Sequence, residues 1–152
     1  MTASTPPSVT TAVGQLPVTT LLSIWIRAGS DHLRPLQRDH VTPTIEEWCG
    51  INLTGQEPAV DGCGIPAWIV PLERLAAGWA SLGMGRPFAP ERRLLDAMRA
   101  EPFFVAGQDR ACTRMIRGST GGTVVKTGAE GVFCAAVPDD GVGVSLKVCL
   151  IY

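Results

Sequence analysis

The sequence has no long apolar run and almost no net charge. A membrane-spanning helix needs about 20 consecutive apolar residues, and stretches such as residues 21–26 are far shorter. The formal net charge is −1 at pH 7, so no strong field directs the protein to nucleic acid or to an anionic membrane. No basic residues precede an apolar stretch at the N-terminus, which argues against a secretory signal. We therefore expect no nucleic-acid and no membrane partner.

Paired cysteines are also lacking. The chain has five cysteines, an odd number, and none of them forms a C-x-x-C pair. Neither a zinc ribbon nor a disulfide framework is therefore supported. Free thiols in a reducing cytoplasm are the simplest interpretation, and we expect a cytoplasmic protein. The cysteines are Cys49, Cys63, Cys112, Cys134 and Cys149.

Lysine and histidine are scarce. The only lysines are Lys126 and Lys147, and His32 and His40 have no metal-binding partners near them in sequence. Charged residues make up 18% of the chain, which is below the usual quarter. Aliphatic residues are plentiful, so the composition indicates a globular protein of about one domain rather than a disordered one.

The first part of the chain has the weaker pattern. Residues 1–20 are rich in Thr, Ser, Pro and Val and are expected to form a loose leader, followed by one short strand at residues 21–28. From residue 31 a helix is expected, with Pro35 in its first turn. Pro43 predicts a break in that helix, and Cys49-Gly50 predicts its end.

Three further helices are expected before the pattern changes. After a short extended stretch at residues 66–70, Pro71 opens a helix that ends at Gly83. A second begins near Pro90 and stops before Pro102, and a third covers residues 109–117. Their inward positions are Leu72, Leu75, Ala76, Trp79 and Leu82; Leu94, Leu95 and Met98; and Cys112, Met115 and Ile116.

Extended patterns follow the helices. Residues 123–127, 132–137 and 142–151 are β-branched and apolar, and four-residue turns that contain Gly separate them. Such spacing is typical of an antiparallel meander. The order of helices and then strands predicts an α+β fold, with helices packed on an antiparallel sheet.

Three short segments carry side chains that can do chemistry. Cys63 lies between two glycines, where a thiol can bind a metal or face a substrate, although a small buried residue is the better interpretation of that pattern alone. Lys126 begins a K-T-G triplet, an element of serine β-lactamases, or is simply an exposed lysine before a turn. Arg110 can clamp a carboxylate, or it pairs with Asp109 or Glu101 at the surface.

Six segments in order resemble the asparaginase II family. They read DHLRPLQ, EEWCG, AVDGCGIP, PLERLAAGWASLG, LLDAMRAEPFFVAGQDRACTRMIR and VVKTGAEGVFCAAVPDDGVGVSLKV. The resemblance covers residues 31–148, and AVDGCG followed by VVKTGAEGV is its most specific part. We therefore expect a divergent, poorly ordered segment at residues 1–30 and the C-terminal part of an asparaginase II domain at residues 31–152.

The resemblance implies a fold like that of serine β-lactamases and glutaminases, and hydrolysis of L-asparagine to L-aspartate and ammonia. It places Cys63 at the active site as a candidate zinc ligand, with the other ligands missing from this chain. It makes Lys126 the candidate catalytic residue of the same cleft. The implied substrate-binding residues are Thr127, Gly128, Glu130 and Arg110.

Two family features are missing from the sequence. Members of the family carry an S-x-x-K pair, in which lysine takes the proton of the attacking serine, and a C-S-G-K-H stretch. Here the residues three before Lys126 and Lys147 are Thr123 and Val144. A truncated or frame-shifted gene, or an incomplete gene model, would explain this. We expect a fragment that is inactive alone and self-associates; the alternative is a non-catalytic binding or interaction module that retains the fold.

Overall fold

A computed structural model describes residues 9–11, 18–19, 34–60, 66–85 and 89–148. Within these ranges there are five α-helices and eight strands, which confirms the predicted α+β class. The helices are α1 (Arg34–Cys49), α2 (Leu72–Gly83), α3 (Pro90–Ala100), α4 (Pro102–Ala106) and α5 (Ala111–Gly118). The strands are β1 (Val9–Thr11), β2 (Val18–Thr19), β3 (Ala59–Val60), β4 (Pro66–Ala67), β5 (Ile69–Val70), β6 (Val124–Thr127), β7 (Val132–Val137) and β8 (Val142–Lys147).

The main sheet has the strand order β1-β8-β7-β6. The three C-terminal strands pair antiparallel, as predicted, whereas β1 lies parallel to β8. The remaining strands form two small antiparallel pairs, β2 with β5 and β3 with β4. The short strand expected at residues 21–28, the extension of the third C-terminal strand through residues 149–151, and residues 61–65 all lie outside the described residues.

The predicted break of α1 at Pro43 was wrong. The helix continues through Pro43 instead of breaking there. Pro43 removes one backbone donor, but its side chain is exposed, so water can satisfy the carbonyl that loses its partner. The predicted end is confirmed: Gly50 has φ +61°, and the Ile51 amide donates to the Glu46 carbonyl at 3.1 Å, the bond of a Schellman cap.

The prediction for the inward face of α5 was wrong at one position. Cys112 and Ile116 are buried as predicted, but Met115 is 53% exposed and Thr113 takes the third inward position. Positions 112, 113 and 116 lie within about 100° of one another around a helix, whereas position 115 falls outside that arc. Thr113 is accommodated because its hydroxyl donates to the Gly107 carbonyl at 2.7 Å. The short helix α4, which precedes it, was not predicted.

The core lies between α2 and the sheet. The inward positions predicted for α2 are all buried, and Leu72, Leu75, Trp79 and Leu82 form one cluster with Leu95, Val124, Val132, Cys134 and Ala136. Helix α2 approaches β8 so closely that a Cβ on Gly143 would overlap the carbonyl oxygen of Ala76 and the amide nitrogen of Ala80. Close by, the buried hydroxyl of Ser145 donates to the Leu72 carbonyl at 2.5 Å.

Helix α1 packs on the opposite side of α2. A Cβ on Gly78 would lie 2.8 Å from the sulfur of Cys49, so glycine permits this approach. Among the described residues, Cys49, Cys112 and Cys134 are buried free thiols. Cys63 and Cys149 lie outside the described residues.

The contact at Gly143 generates a test of the fold. We expect Gly143→Ala to reduce the free energy of unfolding by roughly 3 kcal/mol or more, because the new methyl group meets helix backbone that cannot move aside. Gly118→Ala is the matched control, since no atom lies within 4 Å of its added Cβ. It should change stability by less than about 1 kcal/mol. Equal effects of the two substitutions in urea denaturation would contradict the proposed packing.

Candidate functional site

Lys126 and Thr127 end β6, the last strand of the sheet in the part of the chain that the structure describes. The Lys126 side chain is half-buried, and its ammonium donates a hydrogen bond to the Thr127 carbonyl at 2.5 Å. The strand therefore carries a positive charge close to the point where its chain turns.

A row of three side chains crosses the sheet at this point. Lys126 is opposite Cys134, and Cys134 is opposite Ser145. Directly paired residues share one face of a sheet, and this is the face that α2 covers, because Ser145 bonds to Leu72. Cys134 and Ser145 are buried. Lys126 thus lies at the outer end of a row that becomes buried toward β8.

The thiol of Cys134 in this row and that of the nearby Cys49 are held neutral. Burial raises the pKa of Cys134 to about 12; the nearby Cys49 adds to the rise and Lys126 opposes it. Burial alone raises the pKa of Cys49 to about 11. Neither thiol is therefore a nucleophile at neutral pH, since attack requires the thiolate.

Thr127 faces the other side of the sheet. Its hydroxyl is 3.3 Å from both the Gly128 and the Val132 carbonyl oxygens, and its amide donates to the sulfur of Cys112 at 3.1 Å. The turn is closed by the Gly128 amide, which donates to the Val132 carbonyl at 2.7 Å. The Lys126 ammonium and the Thr127 hydroxyl consequently serve different faces of the strand.

Arg110 and Glu130 lie on either side of this strand end. Arg110 is the exposed residue before the first turn of α5, and the Cys112 contact brings that turn to Thr127. No ion pair to Asp109 or Glu101 is formed by Arg110 within the described ranges. Glu130 is exposed at the turn, with φ +52°, and its carbonyl accepts a hydrogen bond from the Lys147 ammonium.

The described residues do not form a zinc site. Among the described residues, no three His, Cys, Asp or Glu side chains lie together as a metal would require. The described cysteines are buried, and the two with raised pKa values are poor sources of the thiolate that zinc binds. Cys63, the ligand that the resemblance implies, lies outside the described residues.

Cys112 and Cys134 are neighbours of the site that sequence patterns did not assign to it. The helical spacing indicated that Cys112 points inward, but not that its sulfur accepts the edge amide of Thr127. The alternation of β7 could have indicated Cys134 only if the register across the turn had been known, because a shift of one residue exchanges the two faces.

The fold and this strand end define an α+β protein with helices packed on an antiparallel meander, in which the edge strand β6 ends in Lys126 and Thr127 just before Gly128. The family model described as L-asparaginase II matches residues 24–149, well over half of the chain, and the chain belongs to that family. The match supports an asparaginase-family role. No curated protein matches the chain. In the described residues, no helix combines the length and apolar character needed to cross a membrane.

The raised thiol pKa values predict a loss of stability in alkali. Folded Cys49 and Cys134 keep their protons to about pH 11 and 12, whereas the unfolded thiols lose theirs near 9.0. Above pH 9 the unfolded state binds fewer protons, so the free energy of unfolding falls as pH rises, on the order of 1 kcal/mol per pH unit for each thiol.

Urea denaturation between about pH 8 and 11 measures this slope. A Cys49→Ala, Cys134→Ala double variant should be less stable at neutral pH because it creates cavities. Its stability should nevertheless depend less steeply on pH above 9. The same slope in both proteins would show that these thiols do not titrate as described.

Proposed function

We propose that this chain supplies the lysine-bearing side of an amidohydrolase site for L-asparagine. The observation that carries the proposal is Lys126, an ammonium half-buried at the end of β6 in a chain with only one other lysine. A positive charge held in this way can attract the carboxylate of a substrate or the negative charge that develops during amide hydrolysis. The family match makes asparagine the substrate to test first.

The neighbouring residues have proposed binding roles. Arg110 is exposed and can clamp a carboxylate through its planar guanidinium, and Glu130 can accept a hydrogen bond from the substrate ammonium. Thr127 and Gly128 use their hydroxyl and amide within the turn, so they shape the cleft. For Cys63, the family resemblance supports a place in the active site and a role as zinc ligand.

We also propose that the 152-residue chain does not hydrolyse asparagine at an enzymatic rate. A hydroxyl nucleophile needs a base within hydrogen-bond reach, and the sequence contains no S-x-x-K pair. Near β6, the hydroxyls of Ser119 and Thr123 donate to backbone carbonyls at the far end of the strand from Lys126. Ser145 shares the face of Lys126 but lies two strands away, about 10 Å at the usual strand spacing.

These engaged hydroxyls also favour a second candidate, a non-catalytic module that binds its ligand and keeps the fold. Groups held in place can bind a ligand without accelerating its reaction. The two candidates are separated by what a second, serine-bearing polypeptide does. It would restore hydrolysis to an amidohydrolase fragment and would leave a binding module unchanged.

Self-association is part of the proposal. Phe103 and Phe104 are 45% and 65% exposed, and Met115 on the adjacent helix is 53% exposed. Apolar surface of this kind commonly marks an interface. In sedimentation velocity we expect the mean mass to rise with protein concentration, and a Phe103→Ser, Phe104→Ser variant to weaken that rise. Ile69→Ser, at a residue 50% exposed on β5, is the control. A concentration-independent monomer would contradict self-association.

Ammonia release tests the proposal that the chain does not hydrolyse asparagine. The purified chain with L-asparagine should produce no more ammonia than a Cys63→Ala, Lys126→Ala double variant, because loss of a nucleophile commonly removes several orders of magnitude from the rate. Binding is measured separately by calorimetry. There Lys126→Ala should weaken asparagine binding and Arg114→Ala, on the exposed side of α5, should not. Rapid turnover that the double variant abolishes would show that the chain is an enzyme in its own right.

A further inference from the structure

A polar groove lies at the other end of β6, away from Lys126. It has a volume of about 680 Å³ and is bordered by the end of α3, the start of α4, the end of α5 and the loop before β6. The charged side chains that line it are Arg99, Asp96, Glu101 and Arg117. Nothing in the proposed amidohydrolase site uses these residues.

Arg99 lies close to the loop before β6. Its guanidinium lies against Gly122, where an added Cβ would be only 2.9–3.3 Å from three of its atoms. Gly122 has φ +71°, so both the backbone conformation and the space call for glycine. The planar guanidinium suits recognition of a planar anion such as a carboxylate.

The donors of Arg99 remain open to a ligand. The nearest carboxylate oxygen, Asp96 Oδ1, is 3.9 Å from Arg99 Nη1, which is too long for a hydrogen bond. The same oxygen lies closer to Arg92, at 3.3 Å from its Nε. Within the described ranges no hydrogen bond engages the Arg99 guanidinium, so its planar pair of N–H groups can receive a carboxylate.

The charge balance of the groove narrows the ligand class. Arg99 and Arg117 contribute two positive charges, and Asp96 and Glu101 contribute two negative ones, of which the charge on Asp96 is shared with Arg92 outside the groove. A phosphate or a dicarboxylate would be repelled by Glu101, and a simple amine by the two arginines. A ligand that carries one carboxylate and one ammonium close together satisfies both signs.

We propose that this groove binds a free α-amino acid. Arg99, with Arg117, receives the α-carboxylate, and Glu101 receives the α-ammonium. The binding is reversible and involves no chemical step. The groove lies at the opposite end of β6 from Lys126, so this proposal does not rest on the amidohydrolase function, and it describes a second site for the same class of molecule.

Nuclear magnetic resonance titration of the 15N-labelled 152-residue protein tests the proposal. L-alanine, which has no side-chain amide to hydrolyse, should shift the amide signals of Gly121 and Gly122 saturably, with a Kd on the order of 1 mM. Propionate lacks the ammonium and L-alaninamide lacks the carboxylate, so each should bind at least about tenfold more weakly. Absent shifts with L-alanine, or equal binding of propionate, would overturn the proposal.

Substitutions of Arg99 test whether L-alanine binds in the groove. Arg99→Gln should raise the Kd for L-alanine about tenfold or more, and Arg99→Lys, which keeps the charge but loses the planar fork, should also weaken binding. Arg93→Gln and Arg114→Gln are matched controls, since they are exposed on the same two helices and do not line the groove. Equal weakening by the controls would indicate a general charge effect and overturn the assignment. Lys126→Ala should leave L-alanine binding unchanged; a loss of binding there would move the ligand to the other end of β6.

Discussion

The structure depends on the direct contact between the backbone of α2 and the backbone of β8. Gly143 leaves room for Ala76 and Ala80, and Ser145 ties the first turn of the helix to the strand through the Leu72 carbonyl. No side chain separates the two elements at Gly143, so the backbones of helix and strand lie in direct contact. This contact sets the depth at which α2 covers the sheet, and hence which side chains on that face are buried.

The position of Lys126 follows from that packing. Across its row, Ser145 and Cys134 are buried beneath α2, and only the outer member, Lys126, reaches the edge of the core. On the opposite face, α5 packs against the same strand through Cys112 and closes the edge amide of Thr127. The lysine is therefore supported from behind by neutral thiols, which neither neutralise its charge nor compete as nucleophiles at neutral pH.

The two ends of β6 have different chemical character. At the Lys126 end a single ammonium is half-buried near a tight turn. At the other end, two arginines and two acidic residues line an open groove beside two consecutive glycines with positive φ. Strand β6 thus separates the proposed lysine-bearing side of an amidohydrolase site from the proposed amino-acid groove.

Local patterns in the sequence predicted much of this protein, because helical spacing and strand alternation are properties of neighbouring residues. The α+β class, the inward face of α2, the end of α1 at Gly50 and the antiparallel meander all followed from such patterns. The Lys-Thr-Gly segment and the missing S-x-x-K pair were also visible in the sequence alone. The path of α1 through Pro43 and the exposure of Met115 were not, since each depends on which side of a helix meets solvent.

The partners of Lys126 were decided by tertiary structure. Had Thr127 paired directly with Val132 across the four-residue turn, Lys126 would have shared its face with Phe133. Instead Thr127 pairs with Phe133 and Lys126 with Cys134, because Glu130 and Gly131 adopt positive φ and lengthen the turn by one residue. The sequence by itself determined which residues are candidates for the chemistry. Only the folded chain decided which face they occupy, because a one-residue shift in register, set by the turn and by the packing of α2, exchanges the two faces of a strand.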